Sequence, residues 1–325
     1  MQALWLEGKQ LSLKDDIPVP EPLVGEALIN VRLAGICATD LELVKGYYPF
    51  RGVLGHEFVG EVVQAPDRGE LIEKRVVGEI NIACGQCQAC ISGLPTHCEN
   101  RSVLGIINRD GAFAQYLVLP VNNLFPVPET IPDEVAVFTE PLAAALEIQE
   151  QVKINPTDRV LIIGAGRLGQ LIAQTLRLTG CDLMVVTRHE KQRVFLEKMH
   201  IPTISTEEVP VKRMDIVVDA SGNSKGFSLA CRAVRPRGKL VLKSTYMGET
   251  QVDLSKLVVD EVTLVGSRCG PFGPALRLFE KGLVDPLPLI DASYPLVNGL
   301  AAFDHAARPG VLKVLLRPSG EVDRI

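Results

Sequence analysis

The sequence has no apolar run approaching the ~20 residues that a membrane span requires, which sets aside an integral membrane protein. It has no basic block either. Its 34 basic and 39 acidic residues are spread along the chain for a formal charge of −5, so no phosphate-binding footprint is visible and nucleic acid is not an expected partner. The opening, MQALWLEGKQ, lacks the basic-then-apolar layout of a secretory signal, and the expected compartment is the cytoplasm. Internal repeats and low-complexity segments are missing as well. What is there is 325 residues, 46% of them hydrophobic, enough for two ordinary domains with a core each.

The eight cysteines are the first positive lead. In a reducing compartment they are not expected to pair, and C-x-x-C spacing there favours metal or redox use. Cys84, Cys87, Cys90 and Cys98 lie together in ACGQCQACISGLPTHC, with Gly85 and Gly93 available for sharp turns. Four thiolates suit a tetrahedral Zn²⁺ with no open position, which is the mark of a structural site. An iron–sulfur centre and a redox disulfide are the competing readings. His97 stands beside Cys98 but is expected at the surface, because four sulfurs already complete the shell.

The texture of the chain divides it. Up to about residue 120, short alternating runs such as EALINVRLAG are broken by Gly and Pro, which predicts a β-rich lobe. From Arg159 onward six apolar runs (RVLIIGAG, DLMVVT, PTIST, DIVVDASG, GKLVLKS and VTLVGS) are spaced by helical stretches. That rhythm predicts an α/β fold with a doubly wound parallel sheet of six strands. The Pro-rich stretch LPVNNLFPVPETIP, Leu119 to Pro132, is expected to be the joint, and beyond residue 268 the βα rhythm is lost.

The first of the six strands runs into Gly164-Ala165-Gly166-Arg167-Leu168-Gly169 and then a helical stretch. The three glycines suit a tight turn, close approach of a pyrophosphate, and close helix–strand packing, so a dinucleotide is expected at this helix N-terminus. An ordinary βα turn is the alternative. The second strand ends in Thr187-Arg188 rather than in an acid. A ribose-binding carboxylate is lacking and Arg188 is placed to pair with a 2′-phosphate, so NADP is expected as the preferred cofactor, with NAD possible. Arg188, Lys191 and Arg193 would equally suit a solvated helix start. Asp219 to Gly222, with Ser221, and Lys243 to Thr245 follow later strands and are expected to line the cofactor site.

A second set of metal-ligating residues is scattered. Cys37 lies in GICATD, His56 and Glu57 in VLGHEFVG, and Glu140 in FTEPLAAALE. Singly, they read as a buried thiol, a satisfied histidine and solvated carboxylates. Together they offer the mixed N, O and S donors of a catalytic zinc site with one position open to substrate.

The series GIC-x-TD, GHE-x-x-G, the four-cysteine loop, DGAFAQY (Asp110 to Tyr116), the EP dipeptide and GAGRLG resembles, in this order, the zinc-dependent medium-chain dehydrogenase/reductase family of the alcohol, polyol and threonine dehydrogenase kind. The resemblance implies a GroES-like catalytic domain over residues 1–141 with a structural zinc loop at about 84–98, a Rossmann domain over 142–268, and a return to the catalytic domain over 269–325. It makes Cys37, His56 and a carboxylate the ligands of a catalytic zinc, with Glu140 favoured as third ligand and Glu57 as its alternate. It thus implies two zinc ions per chain, a small alcohol or carbonyl substrate, hydride exchange with NAD(P), and a homodimer or homotetramer.

Thr39 matches a Ser/Thr that passes the alcohol proton outward in relatives, with a plain turn residue as alternative, and Asp40 is placed to hydrogen-bond a metal-ligating histidine. Some positions depart from the pattern. Glu42 stands where many relatives carry a relay histidine, and Leu43 where polyol-active ones often carry Tyr. Arg268 matches a substrate-touching arginine of polyol dehydrogenases, a cofactor contact or an ion pair being the alternatives, and Cys269 replaces the aromatic residue beside it. Tyr47 and Tyr48 suit either a cleft lining or loop packing. A non-catalytic nucleotide- and zinc-binding homologue and a zinc-free quinone or enone reductase on the same fold are the rival functions.

Overall fold

In the run EALINVRLAG, Glu26–Gly35, nearly every second side chain is apolar and most are buried, so the segment needs cover on its faces and partners on both edges. It finds them as the central strand of a seven-stranded sheet. Glu57–Gln64 pairs antiparallel along one edge, and the other edge is shared by Tyr116–Pro120 and Lys313–Arg317. The computed structural model describes residues 1–245 and 250–318, so the last seven residues of the segment 269–325 lie outside the described residues.

The chain divides into two compact units, one made of Met1–Glu140 together with the chain from Phe272 onward, the other of Pro141–Pro271. The first unit takes its last two strands, Ile290–Pro295 and Lys313–Arg317, from the C-terminal segment, and these pair parallel to each other. That is why the βα rhythm stops there: the segment completes the first sheet instead of extending the second. Its core combines Leu4, Ile29, Leu54, Phe113 and Leu316, and Phe113 meets Phe303 edge-on at 5.7 Å.

The Pro-rich stretch at Leu119–Pro132 is not the joint between units, contrary to the sequence expectation. Leu124–Pro126 pairs antiparallel with Arg75–Gly78, Leu124 opposite Gly78 and Pro126 opposite Val76, so it is a strand of the first sheet. This strand ends the sheet, where a proline's missing N–H costs no ladder bond. The chain passes between units inside the helix Thr139–Gln151 instead.

The second unit is a parallel sheet whose strands are Arg159–Ile163, Asp182–Val186, Thr203–Ile204, Met214–Asp219, Val234–Leu242 and Thr263–Gly266. Numbered in chain order, they lie side by side as 3-2-1-4-5-6. This is the doubly wound α/β arrangement, with the order reversing beside the first strand. Buried Leu161, Val217, Phe227, Ala230 and Leu240 form one of its apolar clusters. Among the described residues no helix is long and apolar enough to cross a membrane.

Candidate metal centres and dinucleotide site

Two short antiparallel strands, Asn81–Ile82 and Ser102–Val103, pinch off the cysteine loop. Cys84 leaves one strand and Cys98 enters the other, so a closed ribbon brings the ends together, and all four sulfurs lie within 4.8 Å of one another. Cys87 Sγ is 3.5 Å from Cys90 Sγ and 3.8 Å from Cys98 Sγ. Tetrahedral Zn–S bonds of ~2.3 Å would set sulfurs about 3.8 Å apart, so the donor set fits zinc. The backbone N–H groups of Gln86 and Cys87 draw Cys84 down to about 6, whereas burial and the Cys87 thiol push Cys90 up to about 12. Crowded sulfurs cannot all ionise unaided, and a divalent cation removes that conflict. None of the four is in a disulfide, and His97 is exposed.

The scattered residues converge in the first unit. Cys37 caps the helix Ala38–Lys45 with extended backbone, and its N–H donates to Asp40 Oδ2 at 2.8 Å. The other oxygen of Asp40 lies 3.2 Å from His56 Nδ1, and both side chains are almost wholly buried. One carboxylate thus fixes both the segment that carries the thiol and the ring that carries the nitrogen. Burial acts to lower the His56 pKa, but Asp40 and Cys37 together outweigh it and hold the imidazole well above its usual range.

His56 is positioned from the other side by Gly55, whose φ of +98° is left-handed. A Cβ there would also lie 2.6 Å from the Phe113 ring, so only glycine admits this turn into the strand Glu57–Gln64. Cys37, His56 and Glu57 each offer a donor atom within 4.8 Å of the others. A thiolate, an imidazole and a carboxylate at that spacing fit a zinc ion with a position to spare. Glu140 does not join this cluster among the described residues, although it is near enough to feel His56 and Glu57. Burial, with Glu57 and Glu79, pushes its carboxyl up to about 7 against the pull of His56 and Lys313.

The neighbouring positions fall out as follows. Thr39 Oγ1 is 3.8 Å from Cys37 Sγ. Glu42 is paired with Lys45 at 2.7 Å on the surface of the same helix, and Leu43 points into the core, fully buried. Tyr47 and Tyr48 are exposed. Sequence reasoning missed Lys313, a buried lysine bonded to Glu57. The signal was present as a lone charge in the apolar text Val311 to Leu316, VLKVLL.

In the second unit Gly164 follows the first strand with φ +103°, and a Cβ there would lie 2.7 Å from the carbonyl oxygen of Ala220. A Cβ on Gly169 would collide with the Gly164 carbonyl oxygen, so helix and strand are packed as closely as glycine allows. At Gly166, the cap of the helix Arg167–Arg177, an added Cβ would meet nothing within 4 Å. Open space therefore faces the first turn of the helix Arg167–Arg177, which fits a pyrophosphate. Thr187 and Arg188 follow the second strand and Ser221 the fourth, at the same carboxyl edge of the sheet. Ser221 donates its backbone N–H to Asp219 at 3.0 Å. Arg188 is exposed and has no hydrogen-bond or ion-pair partner among the described residues, whereas Arg193 is tied to Glu190 at 2.6 Å. Arg268 follows the sixth strand, exposed, its guanidinium 3.2 Å from Cys269 Sγ.

Residues 24–129 match the family model for the alcohol dehydrogenase GroES-like domain, and residues 168–281 match that for zinc-binding dehydrogenases. The chain is 30% identical to the sorbitol dehydrogenase of Halalkalibacterium halodurans, covering 93% of this chain and 94% of the relative. It is 31% identical to the L-threonine 3-dehydrogenase of Deinococcus radiodurans, covering 97% and 94%. A zinc-binding dehydrogenase from Sinorhizobium meliloti 1021 bound to NADP superposes with a TM-score of 0.90 at 27% identity, over 98% of this chain and 99% of the other.

Proposed function

The chain belongs to the zinc-dependent medium-chain dehydrogenase/reductase family and is an NAD(P)-linked alcohol dehydrogenase, and we propose from that premise that it exchanges hydride between a secondary alcohol of the polyol, sugar or amino alcohol class and NADP. The observation that carries this reading is the convergence of Cys37, His56 and Glu57, backed by Asp40, at a site separate from the four-sulfur loop. A mixed donor set has room for a substrate oxygen, and an all-sulfur set does not. A zinc ion held there would supply Lewis acidity toward a substrate oxygen.

The chain's own residues do the rest. Cys37, His56 and a carboxylate hold the ion. Glu57 is the one grouped with them, and Glu140 stands beside as the alternate. Thr39, close to the Cys37 thiol, takes the alcohol proton. Glu42 is already engaged by Lys45, so the outward path does not end on it. The helix opening at Gly166 to Gly169 binds the pyrophosphate, and Arg188, being unpaired, is the cation for a 2′-phosphate. The four-cysteine loop holds the second zinc and serves stability. A reducing, cytoplasmic location keeps its thiols available as ligands.

Metal analysis combined with a screen of secondary alcohols and carbonyls against both cofactors tests the proposal. Two zinc ions per chain are expected, one of them lost together with turnover in Cys37→Ser. Full turnover in that variant would sink the mechanism.

A further inference from the structure

Lys313 is almost fully buried, and its ammonium donates to Glu57 Oε2, also buried, while lying 5.3 Å from the centre of the Phe138 ring. The two residues are 256 positions apart and sit on strands that do not pair with each other. Between them runs the central strand, where Gly35 lies opposite Glu57 on one edge and opposite Leu315 on the other. A side chain at residue 35 would separate them: its Cβ would lie 2.5 Å from Glu57 Oε2 and 3.5 Å from Lys313 Cδ. Glycine in the segment that leads to Cys37 is what lets a lysine reach across a strand to the carboxylate beside His56.

Burying an ion pair is weak evidence for stability, because desolvation offsets the attraction and apolar replacements often serve as well. A role at the metal centre explains its placement better. The site gathers the Cys37 thiol and the Glu57 carboxylate, with the buried Asp40 carboxylate behind His56 and Glu140 close by, and Lys313 is a buried cation that pairs with Glu57 and is felt by Glu140. It also occupies one oxygen of Glu57, Oε2.

We propose that Lys313 is a positioning residue of the zinc site, pinning Glu57 by one oxygen so that it approaches the metal with the other only and leaves room for substrate. This deepens the reading above and rests on it. Without the lysine, Glu57 is free to turn both oxygens toward the metal or to leave it.

Cobalt(II) substitution tests the proposal, since its visible spectrum reports coordination directly. The signal of the Cys37 site is taken as the difference from Cys37→Ser, which keeps only the four-cysteine site. If the unaltered protein gives no such difference, the zinc reading itself fails. If it does, Lys313→Met is expected to shift and weaken the band and to lower zinc affinity at that site about 10–100-fold, while Lys313→Arg retains the original spectrum. An unchanged spectrum in Lys313→Met overturns the inference. Should Lys313→Met not fold, Glu57→Gln with Lys313→Met removes both charges together. Its spectrum is expected to equal that of Glu57→Gln alone, and a further change on adding Lys313→Met overturns the coupling.

Discussion

Asp40 Oδ1 lies 3.2 Å from His56 Nδ1 while the other oxygen of the same carboxylate accepts the backbone N–H of Cys37 at 2.8 Å. The imidazole is thereby turned with Nδ1 toward the carboxylate and Nε2 free to ligate, and the turn that carries the thiol is locked to it. Asp40→Ala is expected to lower zinc affinity at the Cys37 site about 10–100-fold and leave the four-cysteine site loaded. Zinc content after dialysis against graded chelator checks this, the expected result being a loss of one ion per chain before the other.

The four-cysteine loop behaves oppositely. Its sulfurs are donated by a ribbon held at both ends, so removing one leaves the segment between Cys84 and Cys98 without its cross-link. Structural zinc contributes about 10–16 kcal/mol of apparent binding free energy in small peptides, and under the proposed reading part of that would order this loop. Cys98→Ala is expected to lower the unfolding temperature, with activity falling only as folded protein is lost. Activity per folded molecule, obtained from thermal unfolding and turnover on the same preparation, distinguishes this from a catalytic defect.

Under the proposed NADP reading, Arg188 is the residue expected to set the cofactor preference. It is exposed and unpartnered, and the nearest acid along the chain, Glu190, is bonded to Arg193. A charge-assisted bond to phosphate contributes about 1.5–3 kcal/mol, so Arg188→Ala is expected to reduce kcat/KM for NADP about 10–100-fold while that for NAD hardly moves. Equal losses with both cofactors would assign Arg188 to the fold instead.

The open edge of the six-stranded sheet bears on assembly. Leu264 on the sixth strand and Leu254, Val258 and Val259 on the preceding helix Leu254–Val259 are exposed, Val259 to 81%. Large apolar side chains beside an uncovered strand edge suit contact with a second copy. Val259→Lys is expected to shift sedimentation toward monomer, whereas an unchanged sedimentation coefficient would remove this face from the interface.

What could be read from sequence was what is local in it. The four-cysteine cluster was legible because all its sulfurs fall between Cys84 and Cys98, and the parallel sheet because each strand and helix repeats one pattern. The Pro-rich stretch misled because edge-strand proline and linker proline look alike in text, and only the pairing of Leu124 with Gly78 separates them. Lys313 was illegible for a different reason. Its partner is fixed by sheet order and by the missing side chain of Gly35, neither of which any window of sequence contains. Glu57 and Glu140 were both named as candidate ligands beside Cys37 and His56, but the choice between them depends on strand register and a helix start, which no window of sequence contains.

Asp215 gives the pH dependence. It opens the fourth strand of the parallel sheet and ties in the two strands beside it, accepting the Arg159 backbone N–H at 2.8 Å, the Arg159 guanidinium at 3.1 Å and that of Arg235 at 2.5 Å. Burial alone would raise its pKa, but these donors hold it down at about 2. A carboxyl depressed in the folded state contributes stability that is complete above its unfolded pKa of ~3.9 and is lost as pH falls toward the folded value. With both arginines partly solvated, the contribution is about 1 kcal/mol after screening. Asp215→Asn is therefore expected to be less stable than the parent by about that amount at pH 7, with the gap closing between about pH 4 and pH 2. Urea unfolding of both proteins across that range measures it, and a gap that stays constant down to pH 2 would mean that the ionised carboxylate is not the source.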